Sequence, residues 1–276
     1  MEKTILIAGK NMPDAGTFTD GISVSGRNII VTGPQNRTDE PPKKLTIAER
    51  KSNQAAYEEE KNQEAKSGLC TIEWNKSSPL SARSLVLQTI TIFGRMDEAV
   101  LFFDEEWFAS RAEKMDSEEI SRGCDEMIAG YQYLAVEIIS TFQKKDASEA
   151  PGTLVFLLKE TPSRADVLHD STLNNGLRSI ASPLVSAGAA AFVSFAENLA
   201  AVCADSAFVN VVLVRDSSAA EGYRRDDETG RWLCTYLNSL EDGTQKPGKK
   251  TVQWIRPGVK QPSSGGFKFF KRQARS

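Results

Sequence analysis

The chain is poor in the residues that build covalent or metal-held frameworks. Its 276 residues include four cysteines and a single histidine, His169. Cys70, Cys124, Cys203 and Cys234 are scattered and form no CxxC pair, which argues against a disulfide scaffold and a structural zinc site. No apolar run approaches the roughly 18–20 residues that a membrane helix needs. The opening Met-Glu-Lys-Thr-Ile-Leu-Ile lacks the apolar core and cleavage site of a secretion signal. A reduced, cytoplasmic protein is the expectation. Acidic residues also run out: none of the 37 follows Asp242, whereas nine of the 34 basic ones do. The first 242 positions therefore carry a net charge of about −12 and the rest about +9. Such a segment either folds back on an acidic body, its own or a second subunit's, or forms a basic arm for nucleic acid or acidic lipid. Its strand and turn signals favour the first.

What is present is an alternation. Short apolar runs at Thr4–Ala8, Asn28–Thr32, Leu69–Trp74, Ala99–Phe103, Thr153–Leu158, Phe208–Val214 and Thr251–Ile255 read as strands. Helical patterns lie between them, over Asp14–Ser25, Leu45–Lys66, Ser81–Phe93, Ser117–Lys145, Leu184–Asp205 and Arg231–Leu240. Asp116 or Ser117 can cap the fourth of these, with Glu118 and Glu119 in its first turn. Seven such alternations imply an α/β fold: a doubly wound, Rossmann-like parallel sheet of about seven strands, helices on both faces, in a single domain. The domain is expected over 1–259, followed by a basic aromatic tail over 260–276. That tail sets Phe267, Phe269 and Phe270 among Lys268, Lys271 and Arg272, and packing on a partner subunit is preferred to stacking on nucleic acid or binding membrane.

The order and spacing of these pieces resemble the short-chain dehydrogenases/reductases. Ala8-Gly9, a helix, and Arg27-Asn-Ile-Ile-Val-Thr-Gly33 are similar to that family's opening strand, TGxxxGxG turn and second strand, with Gly9 and Gly26 on the first glycine of the turn and the glycine before the second strand. Ile92-Phe-Gly-Arg-Met-Asp97 resembles the segment before the fourth strand. Glu118–Phe142, with Gly130, resembles the long interface helix. Gly152-Thr-Leu-Val and Phe208-Val-Asn-Val-Val resemble the starts of the fifth and sixth strands. The resemblance spans about residues 3–258.

It implies an NAD(P)-dependent oxidoreductase whose tyrosine protonates a carbonyl oxygen and whose lysine, in YxxxK, lowers the tyrosine pKa. This chain departs from that pattern. Leu184 and Gly188 fall where the tyrosine and lysine belong, Lys159 at the serine and Met127 at the helix asparagine. No tyrosine or lysine occurs between Glu160 and Arg215, and the family's NNAG reads Leu101-Phe-Phe-Asp104. Tyr57-Glu-Glu-Glu-Lys61 fits YxxxK literally but lies in a polar peripheral helix, where a surface pair is expected.

Cofactor binding is weakened as well. Pro13 and Ala15 replace the second and third glycines of the turn, and proline removes an amide that would meet a pyrophosphate. Asp14 adds a negative charge there, which Lys10 can offset. Gly9, Lys10, Asn11 and Arg37 remain as weak cofactor candidates, Arg37 suggesting NADP over NAD; the expectation is no cofactor, or NADP if any.

Among the remaining groups, Asp166 and Asp170 beside His169 read as loop residues, not metal ligands. Asp104-Glu-Glu-Trp107 reads as a helix cap, and Phe102 and Phe103 as fillers of a former cofactor pocket. The helices 117–145 and 184–205, the second carrying Ala187-Gly-Ala-Ala-Ala191, resemble those that pair family members. A non-catalytic homodimer, homotetramer or hetero-oligomer with an active relative is expected. The alternatives are an oxidoreductase using Lys159 or Asp104, or a nucleic-acid binder using the tail.

Overall fold

The five central strands are apolar through their middles and carry their polar side chains toward their ends, because both of their faces are covered. A computed structural model describes residues 2–34, 68–111, 116–146, 148–174, 180–217, 225–243 and 252–259. Among these, seven parallel strands form one sheet in the order β3-β2-β1-β4-β5-β6-β7. They are β1 (Thr4–Ala8), β2 (Asn28–Gly33), β3 (Leu69–Glu73), β4 (Glu98–Asp104), β5 (Gly152–Glu160), β6 (Val209–Ser217) and β7 (Trp254–Ile255). Every residue of β1 and β4 is buried, as expected of parallel strands beneath helices on both sides.

The helices are α1 (Gly16–Ser23), α2 (Pro79–Phe93), α3 (Glu105–Ala109), α4 (Ser117–Cys124), α5 (Gly130–Phe142), α6 (Arg164–His169), α7 (Pro183–Cys203) and α8 (Asp226–Glu241). Local chemistry sets their ends. Ser78 accepts the Ser81 amide ahead of α2, Pro79 stands in its first turn, and left-handed Gly94 ends it. Ser182 and Pro183 open α7 in the same way. Asp116 caps α4 by accepting the Glu119 amide.

One apolar layer under α2, α5 and α7 contains Leu85, Phe103, Tyr131, Phe142, Phe156 and Phe192. The opposite layer, under α1 and α8, contains Ile5, Phe18, Phe102, Val155 and Leu237. Here α1 and α8 meet backbone to backbone. A Cβ on Gly21 would lie 2.2 Å from the Asp227 carbonyl oxygen, and one on Gly230 2.7 Å from that of Phe18. Arg27 ties the start of β2 to β4 and α8, through two bonds to Glu98 at 2.6 and 3.0 Å and one to Asn238 at 2.7 Å.

Several expectations are corrected. The helix expected over 117–145 ends at Phe142 and is interrupted by a π-turn over Asp125–Ala129. The one expected from Arg231 begins at Asp226, because its first turn is acidic, with Asp226, Asp227 and Glu228, rather than apolar. Helices α3 and α6 are additions too short for a periodic signal. Within the described residues the last strand is only Trp254–Ile255. By length and composition α7 is apolar enough to cross a membrane, contrary to the expectation that no segment is; its Val185, Phe192 and Ala196 lie buried in the core. The helix expected over Leu45–Lys66, with Tyr57 and Lys61, and the 260–276 tail lie outside the described residues.

Candidate functional site

The strands' carboxyl ends, where an open α/β sheet binds its ligands, are closed by charge. Lys10, just past β1, places Nζ 2.8 Å from Oδ2 of Asp104 and 2.8 Å from Oδ2 of Asp226. Lys159, near the end of β5, places its Nζ 2.6 Å from Oδ1 of the same Asp226. The four side chains form a buried series, Asp104–Lys10–Asp226–Lys159. Burial alone would lower the Lys10 pKa, but the two carboxylates reverse this and hold it above the usual lysine value. Burial alone would raise the Asp226 pKa, yet Lys159 and Lys10 hold it below the usual carboxylate range. Lys10 therefore does not offset Asp14, as the sequence suggested. The Asp14 carboxylate instead accepts from Arg111 at 2.6 Å and from the Trp107 indole at 3.0 Å. Asp104 also caps α3, accepting the Trp107 amide.

The positions that the family resemblance assigns to catalysis do converge, except Lys159, and they converge on apolar packing. A Cβ on Gly188 would lie 2.9 Å from Met127 Cβ and 3.4 Å from the Phe103 ring. One on Gly123 would meet Leu184 at 2.7 Å and Met127 at 2.9 Å. Met127, Leu184 and Gly188 thus pack with Phe103 and Gly123, with no side chain among the three able to hold or give a proton.

Three amides of the turn after β1 are not open to a pyrophosphate, being bonded already: Met12 N–H to the Thr32 carbonyl (2.9 Å), Ala15 N–H to that of Asn11 (3.0 Å), and Gly16 N–H to that of Pro13 (2.9 Å). Pro13 has none to give. The Asn11 side chain accepts the Thr32 hydroxyl at 2.8 Å. Gly9, at φ 122°, is needed for another reason: a Cβ there would lie 2.1 Å from the Phe102 carbonyl oxygen and 2.5 Å from the Tyr131 hydroxyl. That hydroxyl donates to the same carbonyl at 2.8 Å. Phe102 and Phe103 are buried on opposite faces of the sheet, against Phe18 and against Phe108, Tyr131 and Phe192. They are core residues of two layers, not fillers of one pocket. Arg37 lies outside the described residues. His169 ends α6, where Asp166 belongs to a capping box with Ser163.

Sequence reasoning placed one group in a helix cap without its buried setting, and missed another altogether. Glu105 is buried at the start of α3, accepts the Thr161 amide at 2.7 Å, and is pushed up to about 7 by burial, with Glu160 and Asp104 adding to the rise and the Thr161 bond and Arg215 opposing it. Lys76, after β3, is buried beside a cleft of about 640 Å³ lined by Asn11, Trp74, Trp107, Phe108 and Met127, among others. Neither position has a periodic or motif signal; both are placed by strands distant in sequence.

No protein-family model matches the chain. An uncharacterized protein of Treponema pallidum (strain Nichols) is 27% identical over 191 residues, 68% of this chain and 72% of that one. Among solved structures, a short chain dehydrogenase from Mycobacterium smegmatis superposes with a TM-score of 0.57 over 95% of this chain and 93% of its own, at 15% identity. A 3-ketoacyl-(acyl-carrier-protein) reductase from Brucella melitensis complexed with NADH gives 0.56 over 92% and 96%, at 14% identity. The seven-stranded parallel sheet, its strand order and these superpositions together give the chain the fold of the short-chain dehydrogenases/reductases.

Proposed function

We propose that this protein has the reductase fold without hydride-transfer chemistry, and that it works as a binding or assembly protein, as an oligomer of its own or beside an active relative. The observation that carries this reading is the packing of Met127, Leu184 and Gly188 where the family resemblance places proton donors. The bonded amides of Met12, Ala15 and Gly16 support it. An assembly role is supported by apolar side chains left outward on the long helices: Ile120, Tyr133, Val136 and Val202 are all exposed. An oxidoreductase using Lys159 or Asp104 is the second reading, favoured by the NADH-bound structural relative. It would have to release both groups from their ion pairs with Asp226 and Lys10. Titration of NADPH, NADP, NADH and NAD against tryptophan fluorescence separates the two. The expected result is no saturable binding up to millimolar nucleotide; saturation in the micromolar range overturns the proposal.

A further inference from the structure

Among the described residues, no carboxylate is bonded to the buried Lys76. Its ammonium donates to the Gly9 carbonyl at 2.9 Å. Around it stand the rings of Phe108, Trp107, Trp74 and Tyr131, their centroids 5.1–5.6 Å from Nζ. Cation–π attraction holds an ammonium in such a box, but removal from water works against the charge, and burial brings the Lys76 pKa down to about 8. The nearest opposing influences are small: Glu126 favours the charged form and Arg111 disfavours it.

Three of those rings, Trp74, Trp107 and Phe108, line the same cleft as Lys76 itself. Trp74 also carries a buried indole N–H with no acceptor. An orphaned buried donor is costly. Beside an amine at the aromatic side of a cleft that elsewhere presents Arg111, Glu119 and Arg122, it supplies a partner for an oxygen that the protein does not provide.

We propose that Lys76 captures small aldehydes that enter this cleft, forming an imine with them. The neutral amine's lone pair attacks the carbonyl carbon, a C–N bond forms as the C–O π bond opens, and one nitrogen proton passes to the oxygen to give a carbinolamine. The second nitrogen proton then reaches that hydroxyl, the C–O bond breaks to release water and a C=N bond forms, which balances the step without oxidant or reductant. The orphaned Trp74 N–H is a donor for the carbonyl oxygen as negative charge develops on it. The cleft is bordered by the turn after β1, at Asn11, Met12, Pro13 and Asp14, but imine formation needs no nucleotide and is read as a lysine adduct, so its failure is distinguishable from failure of the function proposed above.

At pH 7.5 a lysine of pKa about 8 is roughly one-quarter neutral, against about one part in a thousand for an ordinary lysine. The test exposes the full chain briefly to 2-hydroxybenzaldehyde at pH 7.5, reduces the imines with cyanoborohydride, and measures label on each lysine by peptide mass spectrometry. Lys76 is expected to label at least about tenfold faster than Lys3 or Lys144, and Lys76→Arg to abolish that adduct while leaving the others unchanged. Labelling of Lys76 no faster than those two in the unmodified protein overturns the proposal, whether or not the variant folds.

Discussion

The Lys159 ammonium lies 2.6 Å from Oδ1 of Asp226, a residue 67 positions later on the helix that closes the sheet. That carboxylate also holds Lys10, so one side chain neutralises cations from two strands.

Asp226→Asn should therefore leave two buried ammonium groups short of a partner. The expected loss is about 3 kcal/mol of unfolding free energy, read from urea melts at pH 7. Because its carboxyl is held below the usual range in the folded state, the stability that Asp226 contributes is present above pH ~4 and is lost as pH falls through its folded pKa. The variant should melt with a shallower acid limb than the parent; an unchanged limb would rule out this assignment.

Glu105 works in the opposite direction. Its folded pKa of about 7 lies above that of an unfolded glutamate, so between about pH 4.5 and 7 the folded state holds more protons and stability falls as pH rises. Glu105→Gln keeps an acceptor for the Thr161 amide and removes the titration. It should stabilise the protein by about 2 kcal/mol at pH 8 and by little at pH 5, measured by thermal or urea unfolding at both values.

Gly9 and Gly188 are fixed by packing rather than by a ligand. Gly9→Ala should cost more than about 3 kcal/mol, since it adds both strain at φ 122° and a clash with the Phe102 carbonyl. Gly188→Ala should cost about 1–3 kcal/mol by crowding Met127. Denaturant unfolding checks both, and a neutral Gly188→Ala would mean that the contact is loose.

If the outward apolar residues serve assembly, sedimentation should find a species heavier than the 30.3 kDa chain. Val136→Lys, on an exposed position of α5, should shift it toward the monomer by tenfold or more in dissociation constant. A strictly monomeric parent at micromolar concentration argues against self-assembly.

The seven strands and their places along the chain were readable because runs such as Thr4–Ala8, Ala99–Phe103 and Thr153–Leu158 are uninterrupted and apolar, with turn residues between them. That Leu184 and Gly188 stand where the resemblance places the tyrosine and lysine rests on alignment alone. The fate of Lys10 was not. Asp104 and Asp226 lie 94 and 216 positions from it, whereas Asp14, four residues away, looked the natural partner. Nearness along the chain favours Asp14, but the turn sends Lys10 back over the sheet and leaves Asp14 to Arg111. Lys76 was equally hidden, because its aromatic box draws on three separate places: the segment after β3, α3 and α5.

The glycine contact between α1 and α8 has a bearing on biosynthesis. Phe18 and Gly21 are made early, yet the backbone that covers them belongs to Asp227 and Gly230. While a ribosome adds the intervening two hundred or so residues, this side of the first strand–helix unit lacks its native cover. Folding cannot reach completion before the closing helix emerges, so the nascent chain should depend on chaperone shielding until then.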